Sequence, residues 1–486
     1  MRPSQATRQT RRVRYETVLN IFPVDNFPEG RAAAKRAPER LLTEHKISRG
    51  EQVKIVYVFD KRKKPLMPCS QKKRARQFLE RGRAPLRMFR NGNGYTCVMA
   101  IVEKGSQNRM PELDGIRGLA ILAVLCSHFV LLGGILNERS PTFIEKLLVH
   151  VSVPMGNGGV DLFFVLSGFL ITGILLRTKS AKNYFYSFYG RRVLRIFPVY
   201  YLVLTLCVII GHFSAIIASE LPPGTAWKVS YFFYLQNWPV FWHGHKVMTG
   251  LWGAYWSLAV EEQFYFVWPL VILLFSEKAI LRLCYIALPG ALLLRIFLYF
   301  SYFDHQFGLM QFTPSRVDGL LMGAICSIYM FSHKRPVPMG WIIACGSLGS
   351  CIMLYIFVFH WQEVTGADKW YGTVGVTGVA LLSTALVALS QHKISFIQRL
   401  LSLRWLRVSG KYSYGAYVYH LILILGLRHY VIARLTLKPG LGIHFGILAK
   451  CLAAMIEIVC VFIVAKASYD WFETPFLRLK SRFKAA

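Results

Sequence analysis

The chain has 486 residues, 54% of them apolar and only 17% charged, whereas soluble proteins carry about a quarter charged residues. Two or three soluble domains would fit the length but not this composition. The formal charge of +33 is unevenly placed, with about 26 Lys and Arg against about 9 Asp and Glu before Pro111, so the opening quarter is a basic region of its own.

Residues 1–110 read as a basic N-terminal extension. Positions 1–51 contain several prolines and no periodicity, so they are expected to be poorly ordered. Next, 53–60 reads as a strand rich in β-branched and aromatic residues, 61–64 as a turn, 71–82 as a basic helix, and 83–90 and 95–102 as further strands. The extension is either a small α+β unit or disordered. Pro65-Leu66-Met67-Pro68-Cys69, Ala75-Arg76 and Arg81-Gly82-Arg83-Ala84 resemble the PLMP-type module of transposon-encoded RNA-guided nucleases over about residues 51–95. That resemblance implies RNA contacts through phosphate. No nuclease motif follows, so a vestigial fusion or an early start is expected, with Met110-Pro111-Glu112 a natural beginning and no nucleic-acid partner.

Apolar runs of membrane-spanning length recur from Leu119 onward. Spans are expected at 119–136, 160–176, 196–218, 255–275, 283–302, 317–331, 341–360, 373–389, 413–427 and 445–465. The aromatic stretch 229–238 is too short to cross and reads as re-entrant or interfacial. The fold class is therefore an all-α integral membrane protein of about ten transmembrane helices over 111–480, with a tail at 481–486. Arg177, Lys179, Lys182, Arg191, Arg192 and Arg195 fall between spans two and three. Lys334 and Arg335, then Lys393, Arg399, Arg404 and Arg407, then Arg478, Lys480, Arg482 and Lys484 fall on the same side. The positive-inside rule makes that side, and both termini, cytoplasmic in an inner (plasma) membrane. Arg428, Arg434 and Lys438 fall on the opposite side. The ten cysteines are scattered through apolar runs without CxxC or Cys/His spacing, so they read as small buried residues and no metal is expected.

Three constellations carry chemistry. Arg117 and His128 punctuate the first apolar run eleven positions apart, which on a helix is about 16 Å along nearly one face. They read either as a snorkelling arginine and a hydrogen-bonded helix histidine, or as an anion anchor with a proton-transfer group further in. Arg192 and Arg195 lie three apart, so two guanidinium forks share a helix face and can grip a phosphate; anchoring at the membrane surface is the alternative. Glu261 and Glu262 stand at a span entrance and cannot point the same way on a helix, so Glu261 is assigned to a cavity and Glu262 to the interface. Further candidates are Asp114, Asp161 and Ser167, Arg316 with Asp318 as an ion pair opening a span, and Tyr417 with His420 on one span; packing or ion pairing competes at each. The nucleophile-elbow, P-loop and dinucleotide glycine motifs are absent.

Leu113-Asp114-Gly115-Ile116-Arg117-Gly118 with His128, Gly159 to Thr172, Arg191 to Pro198, Trp256 to Tyr265, Arg316-Val317-Asp318-Gly319, Tyr412 to His420 and Trp471-Phe472-Glu473-Thr474-Pro475-Phe476 occur in this order. Together they resemble the membrane-bound acyltransferase 3 family over about residues 110–480. The resemblance implies a ten-helix membrane fold and an acyl-CoA donor, commonly acetyl-CoA, reached from the cytoplasm. The acceptor it implies is a hydroxyl of a cell-envelope or secreted saccharide or glycolipid. It also implies catalysis by the residues matching Arg117 and His128, and donor binding by those matching Arg192 and Arg195. The competing reading is a proton-coupled transporter or flippase of a glycan precursor, for which intramembrane His and Glu would form a relay; no paired halves are visible in the sequence. External loops, including the stretch with Trp238, Trp242, His243 and His245, are where an acceptor would meet aromatic rings.

Overall fold

The computed structural model describes residues 110–132, 143–222, 224–238, 250–301, 310–360, 369–392, 394–427 and 443–484, together with the backbone of four strands. The chain divides into two compact units, Met1–Arg109 and Met110–Ala486. In the first, β1 (Val53–Phe59), β2 (Pro65–Cys69), β3 (Leu86–Arg90) and β4 (Thr96–Ile101) form a sheet in the order β2-β1-β4-β3. β1 and β4 are parallel, and the other pairs antiparallel. β2 carries Pro65 and Pro68 and is an edge strand, the one place where a missing ladder donor is tolerated. The expected basic helix at 71–82 lies outside the described residues.

The second unit is built on ten helices: α1 (Pro111–Leu132), α2 (Phe143–Thr178), α3 (Tyr184–Phe213), α4 (Trp256–Leu274), α5 (Glu277–Ser301), α6 (Val317–His333), α7 (Met339–Phe359), α8 (Val376–Leu389), α9 (Arg404–Leu427) and α10 (Ile443–Ala467). Each overlies one of the apolar runs. Among the described residues, eight helical stretches are long and apolar enough to cross a membrane. The helix α6 is apolar but has 17 residues, and α9 opens on Arg404, Arg407 and Lys411. The helices α1 and α9 begin earlier than hydropathy indicates, because helical backbone continues through polar residues that an apolar window rejects. The segment 225–238 does not cross: Thr225–Phe232 has eight residues. Tyr234, at φ 55°, turns the chain so that its ring stacks 4.4 Å from that of Tyr200 on α3. Trp242, His243, His245, Arg428, Arg434 and Lys438 lie outside the described residues.

The outer surface shows what solvent these helices were selected for. On α7 the buried residues are Ile342, Gly349 and Ile356, a seam at seven-residue spacing. Trp341, Ile343, Leu348, Leu354 and Phe359 on its other faces are exposed. A helix apolar on the outside as well as the inside belongs in lipid. Polar and small residues are turned inward, where glycines let backbones meet. A Cβ at Gly118 would run into the Leu406 carbonyl and one at Gly410 into that of Asp114, fixing α1 against α9. Gly168 and Gly323 likewise fix α2 against α6 at the Leu320 and Val165 carbonyls.

Candidate active site

Five helices, α1 to α4 and α9, enclose a cavity of about 190 Å3. Arg117 comes from α1, Ser167 from α2, Arg192 and Arg195 from α3, Ser257, Glu261, Glu262 and Tyr265 from α4, and Tyr414 and Tyr417 from α9. Ligand pockets usually span about 300–1,000 Å3, so this one accommodates the narrow end of a larger molecule.

The cavity has a carboxylate–hydroxyl wall. Ser167 Oγ donates to Glu261 Oε1 at 2.8 Å, and Tyr265 Oη lies 3.1 Å from Glu261 Oε2 and 3.0 Å from Ser167 Oγ. Residues 261 and 265 are one helical turn apart, so the tyrosine and the carboxylate share a face of α4. Glu262 also lines the cavity, which corrects its assignment to the interface: the cavity wraps far enough around α4 to reach neighbouring positions. Deeper, Tyr417 Oη makes a 2.5 Å hydrogen bond with Ser257 Oγ and donates to the Ala254 carbonyl at 2.8 Å.

Three guanidinium groups also line the cavity. Arg117 is paired with Asp114 at 2.7 Å. Among the described residues neither Arg192 nor Arg195 has a carboxylate within ion-pairing distance. Arg192 instead lies over the rings of Tyr265 at 5.4 Å and Phe188 at 5.8 Å. The groups are close enough for Arg195 to repel both Arg117 and Arg192. Glu261 and Glu262 reach Arg192 only at longer range, so Arg192 and Arg195 keep donors free for an anionic ligand.

His128 does not line the cavity; it lies beyond the Tyr417 end. Its ring packs edge-on to that of His420 at 4.9 Å, and His420 is 5.4 Å from the ring of Tyr417. His128 Nδ1 sits 3.0 Å from the Val124 carbonyl and His420 Nδ1 2.5 Å from that of Tyr417. A carbonyl only accepts, so both Nδ1 atoms carry hydrogen and both Nε2 atoms hold the lone pair. His420 Nε2 is buried without a partner.

Arg316 and Asp318 are not paired with each other. Arg316 binds Asp161 of α2 at 2.7 Å, and Asp318 binds Arg295 of α5 at 2.8 Å, all four side chains being 1–2% exposed. Arg316 caps α6 and Asp318 lies two positions on, so the two side chains point to different neighbours and each took a partner from a different helix. Asp161, Arg316 and Asp318 therefore stand behind the cavity, with Arg316 5.6 Å from the Phe164 ring that lines it. Sequence reasoning did not single out Ser257, Tyr265 or Arg295. Arg295 had a signal, since an arginine within an apolar span demands a partner. The two hydroxyls gain meaning only from the facing helices.

The fold and cavity define a class: a polytopic helical membrane protein with a chamber among its helices where three arginines meet a polar hydroxyl–carboxylate array. A family profile described as an acyltransferase domain, that of acyltransferase 3, matches residues 110–465, and the chain belongs to this family. A second profile, described as RRXRR protein, matches residues 56–139. The chain is 30% identical over 386 residues to the peptidoglycan O-acetyltransferase OatA of Listeria monocytogenes, covering 76% of this chain and 56% of that protein. It is 27% identical over 403 residues to the O-acetyltransferase OatA of Staphylococcus aureus, covering 78% and 59%. The chain thus spans somewhat more than half the length of these curated relatives. No solved structure matches it.

Proposed function

We propose that this chain is an integral membrane O-acyltransferase that moves an acyl group, acetyl in the first instance, from cytoplasmic acyl-CoA to a saccharide hydroxyl of the cell envelope. The observation that carries the reading is the cavity where Arg117, Arg192 and Arg195 meet Ser167, Glu261 and Tyr417. In this reading ten helices cross the inner membrane, both termini face the cytoplasm, and the arginines form the inner mouth. The names of the relatives, which specify peptidoglycan in one case, favour a wall glycan as acceptor.

The phosphates of acyl-CoA would rest on Arg192 and Arg195, whose charges lack carboxylate partners, and its thin thioester arm would enter the cavity. The lone pair on His128 Nε2 takes the proton of the acceptor hydroxyl as that oxygen bonds to the thioester carbonyl carbon. The carbon–sulfur bond then breaks, and the proton returns to the departing sulfur to give free CoA. Arg117, about three helical turns from His128, anchors the anionic end of the donor beside Arg192 and Arg195. Glu261, held by Ser167 and Tyr265, orients the groups around it.

The test is native membranes given radiolabelled acetyl-CoA. Label should enter a saccharide fraction, and His128→Ala should lower transfer by at least about 100-fold while the protein remains inserted. Transfer at wild-type rate by His128→Ala, or solute uptake without label transfer, would overturn the reading, the latter in favour of a transporter.

A further inference from the structure

Beyond α10 the chain continues through Ser468–Glu473 into a short helix, Thr474–Leu479, and a turn, Lys480–Arg482. This segment is latched onto the first turns of α3. The Phe483 carbonyl accepts from Arg191 Nε at 2.6 Å and Ser187 Oγ at 3.3 Å, and Asn183 Nδ2 donates to the Lys484 carbonyl at 2.8 Å. The Phe483 ring lies 4.8 Å from that of Tyr186 and fills the space above Gly190, where a Cβ would run into it.

The latch places Lys480 beside the arginines. The Phe483 amide donates to the Lys480 carbonyl at 3.2 Å, closing the turn, and the Lys480 side chain is half-buried. It lies within electrostatic reach of Arg191, Arg192 and Arg195, with Glu473 the carboxylate facing it and Arg195. Its ammonium has no hydrogen-bond or ion-pair partner among the described residues. Arg117, Arg191, Arg192, Arg195 and Lys480 thus gather at this end with Asp114 and Glu473, while Glu261 and Glu262 reach Arg192 from α4. Five cations gathered this closely and partly withdrawn from water repel one another, and among the described residues Lys480 has no ion-paired carboxylate of its own. A bound polyanion would turn that repulsion into attraction.

We infer that the segment 474–483 is a strap that closes over the arginine cluster, and that Lys480 grips the phosphate-bearing nucleotide end of acyl-CoA together with Arg192 and Arg195. The inference rests on the acyl-CoA reading given above and adds to it. A coenzyme A nucleotide carries a diphosphate and a ribose phosphate, whose oxygens can accept from Lys480 and the arginines together. Lys480 is a binding residue in this account. Gly190 and Phe483 are positioning residues that seat it.

The experiment uses the full chain in lipid nanodiscs with coenzyme A as probe, read by calorimetric binding and by tryptic cleavage after Arg482. In the wild type, coenzyme A should bind and slow that cleavage. Lys480→Gln should weaken coenzyme A binding about tenfold, in keeping with loss of one charge-assisted contact, and raise the donor KM with kcat little changed. Gly190→Ala keeps every charge but unseats the Phe483 ring, so it should also weaken binding and should speed cleavage. If both variants bind coenzyme A as the wild type does, or if coenzyme A leaves cleavage unchanged, the strap is refuted. A wild type that binds no coenzyme A refutes the donor reading itself, a different result from normal binding unaffected by the variants.

Discussion

The two buried ion pairs show how single residues hold this protein together. Arg316–Asp161 and Arg295–Asp318 are each 1–2% exposed. Arg295 also donates to Thr377 Oγ1 at 2.5 Å and to the carbonyls of Thr373, at 3.1 Å, and Ser315, so its donors are well used. Arg316 is less well served: Nε and Nη1 have no hydrogen-bond partner, and neither has Asp161 Oδ2. Removing one member of a buried pair strands the other charge, at a cost of about 3–5 kcal/mol. Asp161→Ala should therefore lower the thermal midpoint in detergent clearly. The double variant Asp161→Ala with Arg316→Met, which leaves no stranded charge, should recover most of the loss. A double variant no more stable than Asp161→Ala alone would contradict this account. The sequence showed that Arg316 and Asp318 are charged residues at the head of an apolar run. It could not show their partners, because Asp161 is 155 positions from Arg316.

At the scale of elements, the cavity wall depends on how closely helices cross. Ser167 reaches Glu261 because α2 is pinned against α6 at the adjacent Gly168, whose Cβ position is occupied by the Leu320 carbonyl. Backbone does not yield as a flexible side chain does, so any larger residue there must push α6 away. Gly168→Val should lower both stability and acetyl transfer. Gly290→Ala on α5 makes a control, since nothing lies within 4 Å of its Cβ position, and its stability should stay within about 1 kcal/mol of wild type. Equal losses in the two variants, by thermal midpoint and label transfer, would mean that helix propensity rather than close crossing governs the site. The ten apolar runs were legible because length and hydropathy belong to one continuous stretch. Helix contacts were not: a Gly next to a Ser marks permissive packing without naming the neighbour. The same limit hid Glu262, which helical geometry alone turned away from Glu261.

For the whole molecule, the central question is what the first unit contributes to the second. The acyltransferase profile begins at residue 110, and the described cavity residues run from Arg117 onward. Close helix packing and interhelical hydrogen bonds hold a membrane bundle together, and those described above join helices that all lie after residue 109. The RRXRR profile pulls the other way, because its match runs from 56 to 139 and so continues through α1. Expressing Met110–Ala486 separates the two. If stability and site reside in the bundle, this shortened chain should insert, show the same thermal midpoint in detergent within a few degrees, and transfer label from acetyl-CoA at the full-length rate. Loss of insertion would mean that the basic extension helps to place α1 in the membrane. Normal insertion with lost transfer would mean that the extension supplies something to the reaction that the cavity residues do not.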